Sequence, residues 1–189
     1  MNEREINRKT NDMKINNLYD LAGDKNGRGR EVVYRHCQEV ANYALVLAKL
    51  YANKTGIKLD EELIYTGAMV HDIGCLSTKT EKGKAVTHGE DGYWWLKSQE
   101  VDEKIARFCL SHVGTGFSRE EAIEKGLNSD LNHLPVTTEE IIVAYADKFF
   151  SKSGKKHTAE EIEEKMKEYG EESFKRWEEM KGLFECLGI

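Results

Sequence analysis

Apolar positions recur at intervals of three and four residues along most of the chain, which is the period of amphipathic helices. In a first predicted helix, over residues 33–53, four apolar side chains share one face: Val40, Ala44, Leu47 and Tyr51. The same period continues in a helix that begins near Asp60 and in another over residues 101–113. No stretch of sequence alternates strictly between apolar and polar residues, as a half-buried strand would. The pattern therefore predicts an all-α fold.

A second pattern marks helix starts: a Ser or Thr followed three residues later by Glu. This is the capping box, in which side chain and backbone satisfy each other's hydrogen-bonding groups in the first turn. It occurs four times: Thr87 with Glu90, Ser118 with Glu121, Thr137 with Glu140, and Thr158 with Glu161. A last helical pattern runs over residues 159–187, and Gly170 can interrupt it. The chain has a single proline, a residue excluded from helix interiors, so these starts outline a helical bundle.

The length of 189 residues corresponds to one domain that can bury a core without disulfides. A composition of 39% hydrophobic and 33% charged residues is typical of a globular protein. We divide the chain into a polar, frayed N-terminal arm with a short helix over residues 1–30, a main helical domain over residues 31–155, and an acidic helical extension over residues 156–189. We expect the extension to pack on the main domain.

Most of the net charge of −6 comes from this extension. Residues 159–189 contain ten acidic and five basic side chains, so the remainder of the chain is nearly neutral. A nearly neutral body argues against binding to a nucleic-acid duplex. No apolar stretch resembles a signal peptide or a membrane span, and the four cysteines form no C-x-x-C pair. We therefore expect a cytoplasmic protein without a membrane partner.

Polar residues that can bind a metal interrupt the apolar helix faces. They lie on four separate predicted helices: His36, the adjacent His71 and Asp72, His112, and Asp147. A single such residue is more often an ordinary hydrogen-bonded core residue, and His71 can also act as a helix C-terminal cap. A shared metal is the simplest explanation for all of them together, because each would otherwise need its own buried partner. Imidazole and carboxylate ligands without thiolate suit iron, manganese, nickel or zinc.

These residues stand in the order of a known family. His36, the run His-Asp-Ile-Gly at residues 71–74, and Asp147 resemble the H…HD…D pattern of the HD-domain superfamily of metal-dependent phosphohydrolases, with its HDIG signature. His88 and His112 lie between the doublet and Asp147, which resembles the subset with a dinuclear metal site. The resemblance covers about residues 33–152 and extends to a small group of single-domain HD proteins. It implies an HD-domain helical bundle.

The resemblance also implies two divalent transition metal ions, with iron or manganese favoured and nickel, cobalt or zinc also suitable. The implied ligands are His36, His71, Asp72 and Asp147 for the first ion, and the bridging Asp72 with His88 and His112 for the second. Two ions roughly 3.5–4 Å apart bind a phosphate oxygen and lower the pKa of a water molecule. The implied activity is hydrolysis of a phosphoester or phosphoanhydride of a nucleotide or another small phosphorylated metabolite, with Asp72 and Lys148 as catalytic residues.

The substrate phosphate needs a cation, and Cys75 stands where many HD hydrolases carry a lysine after the HDIG run. Candidate cations lie in the following loop and beside Asp147: Lys79, Lys82, Lys84 and Lys148. We expect Lys79, Lys148 and Thr115, the last in a glycine-flanked turn, to bind the substrate. The basic run of Lys148, Lys152, Lys155 and Lys156 is either a phosphate-attracting rim or a solvated helix end.

Four remaining residues are interpreted as structural. We expect Trp94 and Trp95 to pack on the bundle, and His133 and His157 to lie exposed in loops rather than to bind metal.

Two other functions stay open at this point. The same ligand set occurs in HD-fold oxygenases, in which a di-iron centre and O₂ cleave carbon bonds. In the second alternative, the chain is a non-catalytic metal-binding module whose acidic final helix engages a partner. That helix can equally support a homodimer.

Overall fold

The computed structural model describes residues 3–24, 29–77, 85–186 and 188. These residues form helices, a 3₁₀ turn at Ala85–Thr87 and two isolated backbone bridges, with no strand among them. The helices are α1 (Glu3–Ala22), α2 (Arg30–Thr55), α3 (Glu61–Val70), α4 (Gly74–Ser77), α5 (His88–Ser98), α6 (Glu103–Ser111), α7 (Arg119–Glu124), α8 (Thr138–Lys148), α9 (Ala159–Glu168) and α10 (Glu171–Glu185). The predicted all-α fold is confirmed.

Helix α3 lies at the centre of the bundle. It packs against α2, α6 and α8, and all of its residues from Ile64 to Val70 are buried. Asp60 caps its start by accepting the backbone N–H groups of Glu62 and Leu63. The chain that leaves α3 at Val70 therefore emerges inside the core, and the next two residues are His71 and Asp72.

The predicted helix starts are correct in position, but only two of the four capping boxes form completely: Ser118 with Glu121 and Thr158 with Glu161. Thr137 accepts the backbone N–H of Glu140, whose carboxylate binds Arg107 instead of closing the box. Thr87 makes no capping bond because its backbone is already helical, with φ −74° and ψ −15°. Its hydroxyl donates to Asp91 instead, at 3.1 Å.

The expectation of a frayed N-terminal arm with a short helix is wrong for residues 3–22, which form the 20-residue helix α1. Ile15, Tyr19 and Ala22 are buried on one face of this helix, and the Tyr19 hydroxyl donates to the Met69 carbonyl at 2.8 Å. Widely spaced apolar residues in a polar segment are enough to dock it on the bundle.

The acidic extension forms two helices, because Gly170 breaks the last helical pattern with a φ of +113°. Two buried aromatic residues of α10 stack on Tyr145 of α8: Trp177, with ring centroids 5.2 Å apart, and Phe184, at 4.4 Å. Such ring pairs add to the free energy of area burial. They fix α10 against the helix that also carries Asp147.

Two side-chain expectations fail. Trp95 packs partly against the core as expected, but Trp94 is 52% exposed, and its ring lies 4.9 Å from that of Tyr93. His133 is buried rather than exposed, because its Nε2 lies 3.1 Å from both the Asn128 carbonyl and the Glu90 carboxylate. Within the described residues, no helix combines the length and apolarity that a membrane span requires.

Candidate metal centre

Six residues from five helices or their ends converge in the core. His36 lies on α2 and Asp147 on the last turn of α8. The others flank helix ends: His71 and Asp72 follow α3, His88 begins α5, and His112 follows α6. The structure thus brings together all six residues that the sequence nominated as ligands, and we call them the metal cluster.

The first half of the metal cluster surrounds one oxygen of Asp72. Asp72 Oδ2 lies 3.2 Å from His36 Nε2 and 3.6 Å from His71 Nε2. The Asp147 carboxylate approaches the same two rings, with Oδ1 at 3.0 Å from His36 Nε2 and 3.3 Å from His71 Nε2. Two carboxylates and two imidazoles therefore face a common point.

The second half surrounds the other oxygen of the same carboxylate. Asp72 Oδ1 lies 3.2 Å from His88 Nε2 and 3.4 Å from His112 Nε2, and these two nitrogens are 3.0 Å apart. Asp72 is thus shared by two groups of potential ligands, one with His36 and His71 and one with His88 and His112. This is the arrangement of a bridging carboxylate.

Backbone carbonyls fix the orientation of two rings. His71 Nδ1 lies 2.6 Å from the Ala68 carbonyl, and His112 Nδ1 lies 3.1 Å from the Phe108 carbonyl. A carbonyl only accepts, so we assign the ring proton to Nδ1 in both residues. Each Nε2 is then the ring nitrogen that faces the carboxylates of the cluster, which is how metal-binding histidines are commonly held.

The donor set fits divalent metal ions. His71 and Asp72 are completely buried, and two buried atoms that face the cluster lack an aligned hydrogen bond even though oppositely polarised atoms lie nearby: His71 Nε2 and Asp72 Oδ2. Burying polar atoms without aligned partners is unfavourable unless something else satisfies them. A cation satisfies inward lone pairs of imidazole and carboxylate, so the cluster is suited to divalent metal binding.

The electrostatics keep the carboxylates ionised. Burial alone would raise the pKa of Asp72 and of Asp147, but Lys152 beside Asp72 and Lys148 beside Asp147 hold both values well below the ordinary range. The histidines differ between the halves. Burial opposes the charged form of His36, yet hydrogen bonds to Asp147 and Asp72 raise its pKa to about 9. Burial lowers the pKa of His112 to about 3, so this ring is neutral near pH 7.

Lys148, which the sequence assigned to catalysis and substrate binding, is half-buried beside the cluster. Its ammonium donates to Asp147 Oδ2 at 2.7 Å and to the His112 carbonyl at 2.8 Å. Lys152 reaches further in, with Nζ 2.5 Å from Asp72 Oδ2. Sequence analysis placed Lys152 only on a rim, because the contact depends on a loop that folds back after α8.

The other two predicted substrate-binding residues lie elsewhere. Lys79 falls outside the described residues, as do Lys82 and Lys84. Thr115 is buried, and its hydroxyl is held by Ser173 and Arg176 of α10 at 3.2 and 3.3 Å. The glycine-flanked turn is thus used to attach the extension, and the structure does not bring Thr115 to the cluster.

A cavity of about 290 Å³ opens onto the first half of the cluster, and we call it the cleft. His36, Asp147, Lys148 and Lys152 line it on the inside. A larger groove of about 790 Å³ lies among α1, α2 and α3, but it contains none of the six cluster residues. The cleft is therefore the candidate substrate site despite its smaller size.

The four lysines of the basic run take different positions around the cleft. Lys148 and Lys152 point into the cleft, whereas Lys155 pairs with Glu161 at 2.8 Å and Lys156 lies 5.7 Å from the centre of the Phe150 ring. Two of the four lysines are thus available to the site, and the other two hold the loop together.

Gly74 couples the two halves of the cluster. A Cβ atom at this position would overlap the carbonyl oxygen of His88 and lie 2.5 Å from the backbone nitrogen of Gly92. Only glycine permits this approach of α4 to α5. The glycine that follows His71 and Asp72 in the sequence is therefore required to place His88 beside them.

Comparison with known proteins agrees with this geometry. The model of the HD domain family matches residues 33–151, which contain all six residues of the metal cluster. The chain belongs to the HD domain family. The matched segment of the HD domain begins in α2 and ends just after α8, so α1, α9 and α10 lie outside it.

Relatives of this HD domain occur in archaea. It is 42% identical over 117 residues to the uncharacterized protein MJ0778 of Methanocaldococcus jannaschii. The aligned residues make up 62% of this chain and 65% of that protein. It is 33% identical over 121 residues to a tRNA (cytidine(56)-2'-O)-methyltransferase of Thermoplasma volcanium, covering 64% of this chain and 32% of the relative. The chain thus spans about two thirds of the first relative and one third of the second.

Among solved structures, the HD domain of the L. monocytogenes phosphodiesterase PgpH aligns with a TM-score of 0.45 and 19% identity. The alignment covers 84% of this chain and 92% of that domain.

Proposed function

We propose that this HD domain is a metal-dependent phosphohydrolase that cleaves a phosphoester or phosphoanhydride of a nucleotide or another small phosphorylated metabolite. The observation that carries the proposal is the position of Asp72, whose two oxygens each face two imidazole nitrogens. This geometry supports two cation sites that share one carboxylate. Membership in the HD family supports hydrolytic chemistry at such a centre.

The proposed ligands are His36, His71 and Asp147 on one side, His88 and His112 on the other, and Asp72 between them. When bound, two divalent ions supply Lewis acidity toward a phosphate oxygen and lower the pKa of water toward neutrality. The protein prepares the ligands in advance, because the carbonyls of Ala68 and Phe108 already hold the lone pairs of His71 and His112 inward. The ionised state of Asp72 and Asp147 adds the negative charge that divalent cations need.

The two lysines have different proposed roles. Lys148 is a positioning residue, since it holds Asp147 and the backbone of His112, one ligand from each half. Lys152 shares Asp72 Oδ2 with the first proposed ion site, and its ammonium can instead balance the charge of a phosphate in the cleft.

The test combines metal analysis with phosphate release. We expect the isolated protein to contain about two metal equivalents and, with Mn²⁺, to release phosphate from a panel of nucleotides and sugar phosphates. His88→Gln should lower the metal content to about one equivalent, because it removes one ligand of the second half only. Asp130→Asn is the matched control, because this carboxylate is 87% exposed and contacts Arg119 at 3.9 Å, outside the metal cluster; it should change neither value.

Three outcomes would contradict the proposal. Absence of phosphate release from the whole panel with any metal would exclude the hydrolase. Oxygen uptake with a mixed-valent iron signal would establish the oxygenase in its place. Bound metal without either activity would establish a non-catalytic metal-binding module.

A further inference from the structure

The outer wall of the cleft comes from beyond the HD family match, which ends at residue 151. Besides the metal-cluster side, the cleft is lined by His157 in the loop after α8 and by four residues on α9: Glu161, Ile162, Lys165 and Met166. Ile162 and Met166 are buried at 3% and 1% exposure, so they hold α9 in place against the bundle. The acidic extension therefore builds part of the candidate substrate site.

The loop that carries this wall is well ordered by its own backbone. His157 donates its N–H to the Phe149 carbonyl at 2.9 Å, and Ser151 donates to the Lys155 carbonyl at 2.9 Å. Gly154 has a φ of +85°, which closes the turn between them. The loop thus doubles back on the end of α8 and delivers α9 to the mouth of the cleft.

Charges around the cleft are paired except on this wall. Lys148 contacts Asp147, Lys152 contacts Asp72, and Glu161 is engaged by Lys155 at 2.8 Å. Lys165 has no carboxylate within ion-pair distance among the residues that the structure describes, and its ammonium lies 5.8 Å from the centre of the Tyr169 ring. Among the described residues that line the cleft, Lys165 is thus the lysine whose charge no carboxylate compensates.

The volume of the cleft indicates which class of ligand can contact Lys165. A volume of about 290 Å³ is at the lower end of small-molecule sites. It is large enough to admit a compact phosphate ester. A molecule that fills it extends from the metal cluster to α9.

We propose that Lys165 is a substrate-binding residue for a second anionic group, a carboxylate or further phosphate, on a small phosphate ester whose reacting phosphate lies at the metal cluster. This inference rests on the proposed function for the position of the reacting phosphate. The inner cation Lys152 serves that phosphate, and Lys165 on the opposite wall selects substrates by the charge at their other end.

The test uses two phosphonates that cannot be hydrolysed and that have the same length. Propylphosphonate ends in a methyl group, and 3-phosphonopropionate ends in a carboxylate. We expect calorimetry on the full metal-loaded protein to show about fivefold tighter binding of 3-phosphonopropionate, the size of one partly exposed ion pair. Lys165→Met should abolish this preference and leave propylphosphonate binding unchanged, and Lys165→Arg should retain it.

Lys167→Met is the matched control, because it removes the same charge two residues along α9 from a lysine that pairs with Glu163 outside the cleft. The inference is overturned if wild-type protein binds both phosphonates equally or binds neither, or if Lys165→Met and Lys167→Met behave alike. Binding of the pair with the expected preference, together with no phosphate release from any ester, would retain the Lys165 site and reject the hydrolase. Lys165→Met should also raise the KM for 3-phosphoglycerate relative to the KM for glycerol 3-phosphate, without changing kcat.

Discussion

Two polar clusters of this molecule differ in whether their polar atoms have aligned hydrogen-bond partners. In what we call the Arg107 cluster, Arg107 donates to both oxygens of Glu140, at 2.7 and 3.2 Å, and to the carbonyls of Asn132 and Leu134. Glu140 also accepts the Val136 N–H at 2.6 Å. Each of the three guanidinium nitrogens donates to an acceptor, and the cluster joins α6 to the start of α8.

The metal cluster is buried, yet His71 Nε2 and Asp72 Oδ2 lack an aligned hydrogen bond, and His88 Nε2 and His112 Nε2 face each other at 3.0 Å. Such an arrangement is poor as a structural device, because it leaves His71 Nε2 without the partner that burial requires. The difference distinguishes a cluster that holds the fold from one whose donor atoms are suited to binding cations. Each should respond to substitution in its own way.

The largest effect is expected at the shared carboxylate. Asp72→Asn removes a ligand from both halves of the metal cluster, so phosphate release should fall about 1000-fold, in line with the several kcal/mol that metal ions contribute to such reactions. Metal content, measured by mass spectrometry, should fall with it, while the circular dichroism spectrum stays that of a helical bundle. Retention of both metal and activity would show that Asp72 is not a bridging ligand.

The Arg107 cluster should show the opposite response. Arg107→Met leaves the Glu140 carboxylate buried at 3% exposure without its cation, and the free energy of unfolding should fall by about 3 kcal/mol. The turnover number of the folded enzyme should stay the same. Urea unfolding measures the loss, and Lys104→Met, an exposed lysine on the same helix, should change stability by less than about 0.5 kcal/mol. A collapse of turnover in Arg107→Met would contradict a purely structural role.

Metal itself should stabilise only through the metal cluster. Mn²⁺ at 100 times its dissociation constant should raise the free energy of unfolding by about 2.7 kcal/mol, because it binds the folded state. Arg107→Met should gain the same increment from a lower starting point, and Asp72→Asn should gain none. Thermal melts with and without Mn²⁺ distinguish the three proteins, and an equal gain in Asp72→Asn would place the metal elsewhere.

The smallest effect concerns the link between Arg176 of α10 and Glu121 of α7, whose side-chain atoms are 2.8 Å apart. Burial would raise the pKa of Glu121, but hydrogen bonds from Arg176 and the Ser118 backbone lower it below its ordinary value of 4.5. A lowered folded-state pKa gives stability that is present above pH 4.5 and is lost as the pH falls through the lower value.

Arg176→Met should therefore reduce the free energy of unfolding by about 1 kcal/mol at pH 7 and by progressively less below pH 4.5. Urea titrations across this range measure the change. Lys175→Met, at the exposed neighbouring position, should leave the pH dependence as in the wild type. A difference between Arg176→Met and wild type that does not shrink in acid would rule out Glu121 as the partner.

The sequence predicted the metal cluster better than its surroundings. His36, Asp72 and Asp147 were recognisable because polar residues on apolar helix faces are costly, and their order matched a family pattern. Thr115 was misplaced by the same reasoning, since a hydroxyl between glycines suits a phosphate and a helix contact equally well. Lys152 was underestimated, because its contact with Asp72 depends on how the loop after α8 folds back.

Helix positions were predictable for a similar reason, and hydrogen-bond partners were not. The start of α5 after Thr87 is correct, yet the expected capping bond is absent because a 3₁₀ turn precedes it. His133 carried no periodic signal that would show its burial against Glu90. Local sequence defines where helices begin, whereas pairing between distant side chains depends on tertiary packing.

Gly74 contacts the backbone of α5 directly. The distance between the two halves of the metal cluster is therefore set by contact between main-chain atoms. No side chain stands between His88 and the segment that carries His71 and Asp72 at this point, so there is no rotamer to adjust and nothing compressible to absorb strain. Core substitutions elsewhere can change how stable the bundle is. They leave the distance between the two halves of the metal cluster set by this backbone contact.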